Sequence, residues 1–214
     1  MTTFALVGAS EFNATYFAER VAADAFDAVI AVDGGFASLE AAGCMPDLAL
    51  GDFDSLGYVP EGVPVKAFPP EKDASDMELA LEEAVSRGAD AVEVYGALGG
   101  RLDHTLANLQ LLASFAERGL GVRAVGDDSQ IAFLVGPDEL CVEGEPGAIV
   151  SVFSLTDASS GVVEEGLKYA LDGVALTNRT SWGLSNEFTA APARIALERG
   201  TLAIFLPLGL CSLQ

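Results

Sequence analysis

The chain is short of positive charge. Its 214 residues hold only 11 Lys and Arg against 32 Asp and Glu, and Lys66, Lys72 and Lys168 are the only lysines. The resulting net charge of −21 repels polyanions, which argues against nucleic acid and anionic membrane surfaces as partners. Histidine and tryptophan occur once each, as His104 and Trp182. Cysteine is scarce too: Cys44, Cys141 and Cys211 are odd in number, far apart and without a CxxC pair. That pattern excludes a disulfide framework or zinc ribbon and suits reduced, buried thiols in a cytoplasm. No apolar run exceeds strand length, so no membrane span is expected. The opening "MTTFALVGAS" has no basic segment ahead of its apolar stretch and does not read as a signal peptide. No polar tract or Pro/Ser-rich linker suggests disorder, and half of the residues are hydrophobic, enough for a sizeable core.

The first part of the chain alternates strand and helix. "TFALVGA", "DAVIAVDGG", "DLALGDFDS", "VPVKAFPP", "DAVEVYGAL" and "GVRAVGDD" are short apolar runs, nearly all stopping at Gly, Asp or Pro. Apolar residues at 77, 80, 81, 84 and 85 mark one helical face, and Leu102, Leu106, Leu109, Leu112 and Ala116 mark another. Strands separated by helices imply βαβ units and a mainly parallel, Rossmann-like sheet. After this the texture changes. "SQIAFLV", "ELCVEG", "AIVSVFSL", "LKYALDGVALT", "ARIALERG" and "TLAIFLP" are closely spaced strand signals split by turn residues. They read as an all-β, antiparallel sandwich. Two domains are therefore expected, an α/β domain over 1–127 and a β domain over 128–214, with no internal repeat.

Four polar clusters each follow a predicted strand: "DGG" at 33–35, "GDFDS" at 51–55, "KDASD" at 72–76 and "GALGGRLDH" at 96–104. In an open parallel sheet the carboxyl ends of the strands share one edge, where ligands bind. Asp52 and Asp54 are two apart, so in extended chain both point one way while Phe53 turns inward. Paired carboxylates repel unless a cation lies between them, and oxygen ligands near phosphates suit Mg²⁺; the alternative is an ordinary surface turn. Ser75 with Glu78 forms a capping-box pattern, which by itself accounts for Asp76 in the first turn of a helix. It leaves Lys72 and Asp73 unexplained, and a Lys there can meet a phosphate as a point charge.

In "GALGGRLDHTLAN", residues 96–108, Gly96, Gly99 and Gly100 permit positive φ or close approach of a ligand to the main chain. Arg101 adds a bidentate donor, Asp103 can cap the helix that follows, and His104 is expected as a structural hydrogen-bonder. The stretch reads as a phosphate cradle, although it is neither GxGxxG nor GxxxxGK[ST]. In so acidic a chain, an anionic substrate requires local positive charge from a metal or from a few placed Lys and Arg.

"VDGG", "GDFDS", "KDASDMELAL" and "GALGGRLDHTLAN", in this order and spacing, resemble the thiamin pyrophosphokinase family, and "LKYALDGVAL" and "GLSNEF" extend the resemblance over essentially the whole chain. The resemblance implies ATP-dependent pyrophosphoryl transfer to thiamin, giving thiamin diphosphate and AMP. It implies Mg²⁺, and a homodimer with the active site in clefts between subunits. By the same resemblance Asp52, Asp54 and Asp76 match metal positions, and Asp54, Asp73 and Asp76 catalytic ones. Asp33, Gly34, Lys72, Gly99, Gly100, Arg101, Asp103 and His104 match nucleotide or thiamin contacts. Ser185 and Asn186 match the thiamin pocket. Trp182 either stacks on thiamin or packs in the β domain, and packing is the expectation for a lone Trp. Two other readings compete with this one: a Mg²⁺–nucleotide transferase acting on another small heterocyclic alcohol, or a non-enzymatic thiamin or nucleotide sensor.

Overall fold

A computed structural model describes residues 1–210 of the chain; Cys211, expected as a buried thiol, lies outside the described residues. The chain is mixed α/β and divides into two compact units, Met1–Leu111 with Gly119–Asp127, and Leu112–Arg118 with Asp128–Gln214.

The first unit is built on six parallel strands: β1 (Thr3–Val7), β2 (Ala28–Val32), β3 (Leu48–Gly51), β4 (Val65–Ala67), β5 (Ala91–Tyr95) and β6 (Gly121–Val125). They lie in the order β6-β5-β1-β2-β3-β4 with parallel pairing throughout. β1 and β2 sit inside this sheet and are nearly all buried, as strands covered on both faces must be. Helices α1 (Ala14–Ala22), α2 (Gly35–Ala41), α3 (Asp76–Ser86) and α4 (Leu102–Glu117) supply the connections. The 77/80/81/84 stripe of α3 is buried as its period predicts, while Val85 is left 39% exposed. Full burial of Leu81 alone is worth about 1.5–3 kcal/mol.

The stripe expected on α4 holds only in part. Leu112 and Ala116 are buried, but Leu102 is 81% and Leu106 58% exposed. The inward face at the start of α4 instead carries Thr105 and Asn108, whose side chains donate to Gly99 O and Ala97 O at 3.1 and 2.8 Å. Those bonds orient the first turns toward the preceding loop, so the leucines at this end turn outward. Behind β5 a buried charge has its own partners. Glu93 meets Arg20 at 2.6 Å, Arg123 at 3.4 Å and the Tyr95 hydroxyl at 2.9 Å. Tyr95 packs at its ring edge on Phe12, Phe17 and Phe26, and burial first, then the Glu93 charge, holds its hydroxyl far above its ordinary pKa.

The second unit is antiparallel. β7 (Ser129–Val135), β9 (Ile149–Ser154), β12 (Asn186–Glu187) and β14 (Thr201–Pro207) are ordered β12-β9-β14-β7. β8 (Asp138–Val142), β10 (Ser159–Glu165), β11 (Leu171–Leu176) and β13 (Ala193–Leu197) form a second sheet, β11-β10-β13-β8. Both groups contribute to one hydrophobic cluster that includes Leu134, Val152, Val162, Ile195, Leu202 and Ile204. The strand β10, "SSGVVEE", is not signalled by apolar alternation, because its buried positions include Ser159 and Glu164. Cys44 and Cys141 are free thiols but half-buried rather than buried: Cys44 stands in the loop after α2 and Cys141 on the edge strand β8.

Candidate active site

Parallel strands deliver their carboxyl ends to one edge, and the first unit uses it. β1 runs into Gly8–Glu11, β2 into Asp33, β3 into Asp52 and β5 into Gly96. Gly8 and Gly96 meet backbone to backbone: a Cβ on Gly96 (φ 61°) would stand 2.2 Å from Gly8 O. No side chain fits there, and the contact is completed by Ser10 N–H donating to Gly96 O at 3.0 Å. Gly99 and Gly100 also have the positive φ expected of them, at 78° and 58°. The result is an open cleft of about 780 Å³ lined by Ser10, Asp33, Lys72, Asp76, Gly99 and Arg101, among others.

At its floor, carboxylate oxygens of Asp33, Asp52 and Asp76 lie within 4.8 Å of one another. Lys72 Nζ reaches Asp52 Oδ2 at 2.7 Å and Asp76 Oδ1 at 3.1 Å. Among the described residues, Lys72 is the one cation in contact with Asp76 Oδ1, while Asp33 Oδ1 is buried with no donor. Three carboxylates against one ammonium leave two negative charges in excess if all are ionised. The electrostatics are uneven. The hydrogen bond from Lys72 holds Asp52 below the ordinary carboxylate range despite its burial. Burial, helped by the charges of Asp52 and Asp33, pushes Asp76 above that range against the pull of Lys72. Burial works against the Lys72 ammonium, but Asp52 and Asp76 more than offset it and raise its pKa. Orphaned, converging carboxylate oxygens fit a hard divalent cation.

The expected residues are not all brought together. Asp33 and Asp52 come from β2 and β3, and Asp76 from the first turn of α3, where Ser75 Oγ accepts the Glu78 N–H at 3.2 Å as the capping pattern predicts. Asp33, expected only as a nucleotide or thiamin contact, has its place among the carboxylates because β2 and β3 are neighbours. Asp54 stands outside the trio. Phe53 is buried, as expected, but adopts φ 59° rather than extended chain, and Asp54 beyond it is exposed. Asp54 keeps two links: its N–H donates to Asp52 Oδ1 at 3.3 Å, and the Ser55 hydroxyl lies between its carboxylate and Asp33. Gly34 caps α2 through its backbone, and Asp73 is exposed.

Arg101 and Asp103 pair with each other, Nη2 to Oδ2 at 2.6 Å and Nε to Oδ1 at 3.2 Å. Asp103 therefore lies within the first turn of α4 rather than at its cap, and Arg101 holds its carboxyl down at about 2. His104 lines the cleft but has no side-chain hydrogen bond to the protein among the described residues, contrary to a structural role. Ser10, Glu11 and Asn108 also line the cleft and were not anticipated, since "GASEF" carries no familiar phosphate pattern.

In the second unit Ser185 is exposed with φ 58°, its N–H donating to Ser151 Oγ at 3.0 Å. Asn186 is buried and its amide is spent within the chain. Nδ2 donates to Glu164 Oε2 and Tyr169 O, both at 2.8 Å, and Oδ1 accepts from the N–H groups of Tyr169 and Glu187, both at 3.0 Å. A ligand contact by this amide has to displace one of those bonds. Trp182 is not packed: it is 59% exposed, with Leu184 beside it at 57%.

A glycine-lined acidic cleft at the strand ends of a parallel α/β unit is where open α/β sheets bind ligands, and it suits a nucleotide-binding protein. The comparisons narrow this. Residues 20–124 match the thiamin pyrophosphokinase catalytic domain, and residues 139–202 match the thiamin pyrophosphokinase vitamin B1 binding domain. A thiamine pyrophosphokinase of Bacillus subtilis is 30% identical over 180 residues, 81% of this chain and 84% of the relative. The crystal structure of thiamine pyrophosphokinase from that species covers 98% of this chain and 100% of its own, with TM-score 0.80 and 25% identity. Thiamin pyrophosphokinase from Geobacillus thermodenitrificans gives TM-score 0.78 at 27% identity, covering 96% of this chain and 97% of its own. The chain belongs to the thiamin pyrophosphokinase family.

Proposed function

We propose that this protein transfers the β,γ-pyrophosphoryl group of ATP to the hydroxyethyl arm of thiamin, giving thiamin diphosphate and AMP. The observation that carries this reading is family membership over both halves of the chain, joined to a carboxylate trio in a glycine-lined cleft. In the transfer, the hydroxyl oxygen bonds to the β-phosphorus while the Pα–O–Pβ bridge breaks. The bridging oxygen leaves on AMP, and the hydroxyl proton passes to a carboxylate. Such chemistry demands in-line positioning and neutralised oxygen charge more than covalent catalysis.

Asp33, Asp52 and Asp76 would hold Mg²⁺, with the exposed Asp54 completing the set toward the triphosphate. When bound, the ion would supply positive charge to the phosphate oxygens. Lys72 and Arg101 add further positive charge in a chain that has little, and Gly34, Gly99 and Gly100 allow close approach of the nucleotide to the main chain. Arg101 has to exchange Asp103 for phosphate to do so, and His104 stands at the same wall. Of the two acids suited to orient the hydroxyl, Asp76 is favoured. It faces the cleft from the first turn of α3, whereas Asp73 is exposed.

The α/β domain expected over 1–127 serves as a Rossmann-like nucleotide domain, with Leu112–Arg118, at the end of α4, grouped with the second unit. The second, 128–214, is a β-sandwich whose Trp182–Asn186 segment receives thiamin, Ser185 directly and Asn186 by shaping the segment. The working form is a cytoplasmic homodimer with active sites in clefts between subunits. Incubation with ATP, Mg²⁺ and thiamin, followed by mass spectrometry, should yield thiamin diphosphate and AMP. ADP with thiamin monophosphate, or no product at all, would refute the reading.

A further inference from the structure

The second unit buries an acid for which the reaction has no use. Glu164 lies on the inner side of β10, opposite Leu171 of β11 and Ile195 of β13, and is 1% exposed. Its Oε2 accepts from Asn186 at 2.8 Å, while Oε1 is buried with no donor among the described residues. Burial raises its pKa, with the Asn186 hydrogen bond opposing. A carboxyl is a costly choice for a place where a hydroxyl or amide would accept one hydrogen bond. What it holds explains the choice. Asn186 acts as a strand-like partner for Tyr169, giving to its C=O and taking from its N–H. Glu164 takes the remaining amide proton, and a charged or strongly polar acceptor makes that bond stronger than a neutral one. With it in place, a flipped amide would set oxygen against both Glu164 and Tyr169 O.

Tyr169 is 60% exposed, and its ring lies 5.4 Å from Lys168 Nζ, which in turn pairs with Glu187 at 2.7 Å. Asn186 directly follows Ser185 and, four residues on from Trp182, ends that exposed segment. One buried amide thus ties two surface stretches, 168–169 and 182–186, to the core.

We propose that Glu164 is a positioning residue: through Asn186 it fixes Tyr169 and the Trp182–Ser185 segment as one preformed surface for the heterocyclic acceptor. This rests on the reading that the segment receives thiamin. Preorganisation of this kind lowers the ordering cost of binding, so its loss appears in acceptor affinity and not in nucleotide affinity.

The test is Glu164→Leu beside Glu164→Gln, with Glu164→Ala replacing the Leu variant if that fails to fold. The Gln carbonyl can still accept from Asn186. The Leu or Ala variant should raise the KM for thiamin about ten-fold or more, with the KM for ATP and kcat within about two-fold. The Gln variant should restore the thiamin KM to within about two-fold. Backbone amide exchange at Tyr169 and Glu187, the donors to Asn186 Oδ1, should accelerate about ten-fold in the Leu or Ala variant and not in Gln. A lower melting temperature with both KM values unchanged, or both rising together, would overturn the proposal. Unaltered exchange at Tyr169 and Glu187 would overturn it whatever the activity. If the unmodified protein makes no thiamin diphosphate, the functional reading fails, and the exchange result still decides the role of Glu164.

Discussion

Lys72→Met removes the one ammonium that faces the carboxylate floor. Lys72 stands 2.7 Å from Asp52 and 3.1 Å from Asp76, with side chains only 13%, 10% and 21% exposed. Without it, carboxylates within 4.8 Å of one another repel by about 3.5 kcal/mol per ionised pair at an effective dielectric of ~20. The protein can relieve this by keeping one proton, so the net loss of stability at neutral pH should be about 2–4 kcal/mol. For a chain of this size that is a fall in melting temperature of roughly 5–15 °C. The sign with pH follows from the shifts. Asp52, held low by Lys72, contributes stability above its unfolded pKa that is lost as pH falls through its depressed folded value. In the variant that contribution vanishes and Asp76, already raised, rises further. The variant should therefore lose stability as pH climbs from about 4 toward 8, converging on the unmodified protein in acid. Thermal melts at low ionic strength without divalent ions, at pH 4.5, 6 and 8, measure this. Adding Mg²⁺ should stabilise the variant more than the parent, because the ion replaces the lost charge. A variant melting within about 1 °C of the parent at every pH would refute the electrostatic account of the floor.

Asp52→Asn and Asp76→Asn should each lower turnover by more than about a hundred-fold while leaving the far-UV circular dichroism unchanged. Asp54→Asn should lower it less, since that exposed carboxylate lies outside the trio; equal losses in steady-state assays would place Asp54 on the metal with Asp52. Active protein should scatter light as a particle near twice 22.1 kDa, and full activity in a monomer would contradict the shared cleft.

Local chemistry wrote much of the first unit into the sequence. Parallel strands covered on both faces show as unbroken apolar runs, and the Ser75 cap and the positive-φ glycines at 96, 99 and 100 were readable from the demands each makes on its own few residues. Strand ends of a parallel sheet must share an edge, so the gathering of the polar clusters at one cleft was readable as well. What needed the tertiary structure was every pairing between distant positions. Asp33 joins Asp52 and Asp76 because β2 lies beside β3, and Asp54 stands outside them, beyond a Phe53 that takes a left-handed turn. Leu102 and Leu106 carry a helical period outward, because two side-chain bonds to the preceding loop set the rotation of the first turns of α4. Glu164 hid β10 from an apolar pattern, and Asn186 gave no sign that its amide is spent on Glu164 and Tyr169. Periodicity reports which face of an element is apolar; only the packed neighbours decide which polar groups are buried against each other, because that depends on partners 17 and 22 residues away.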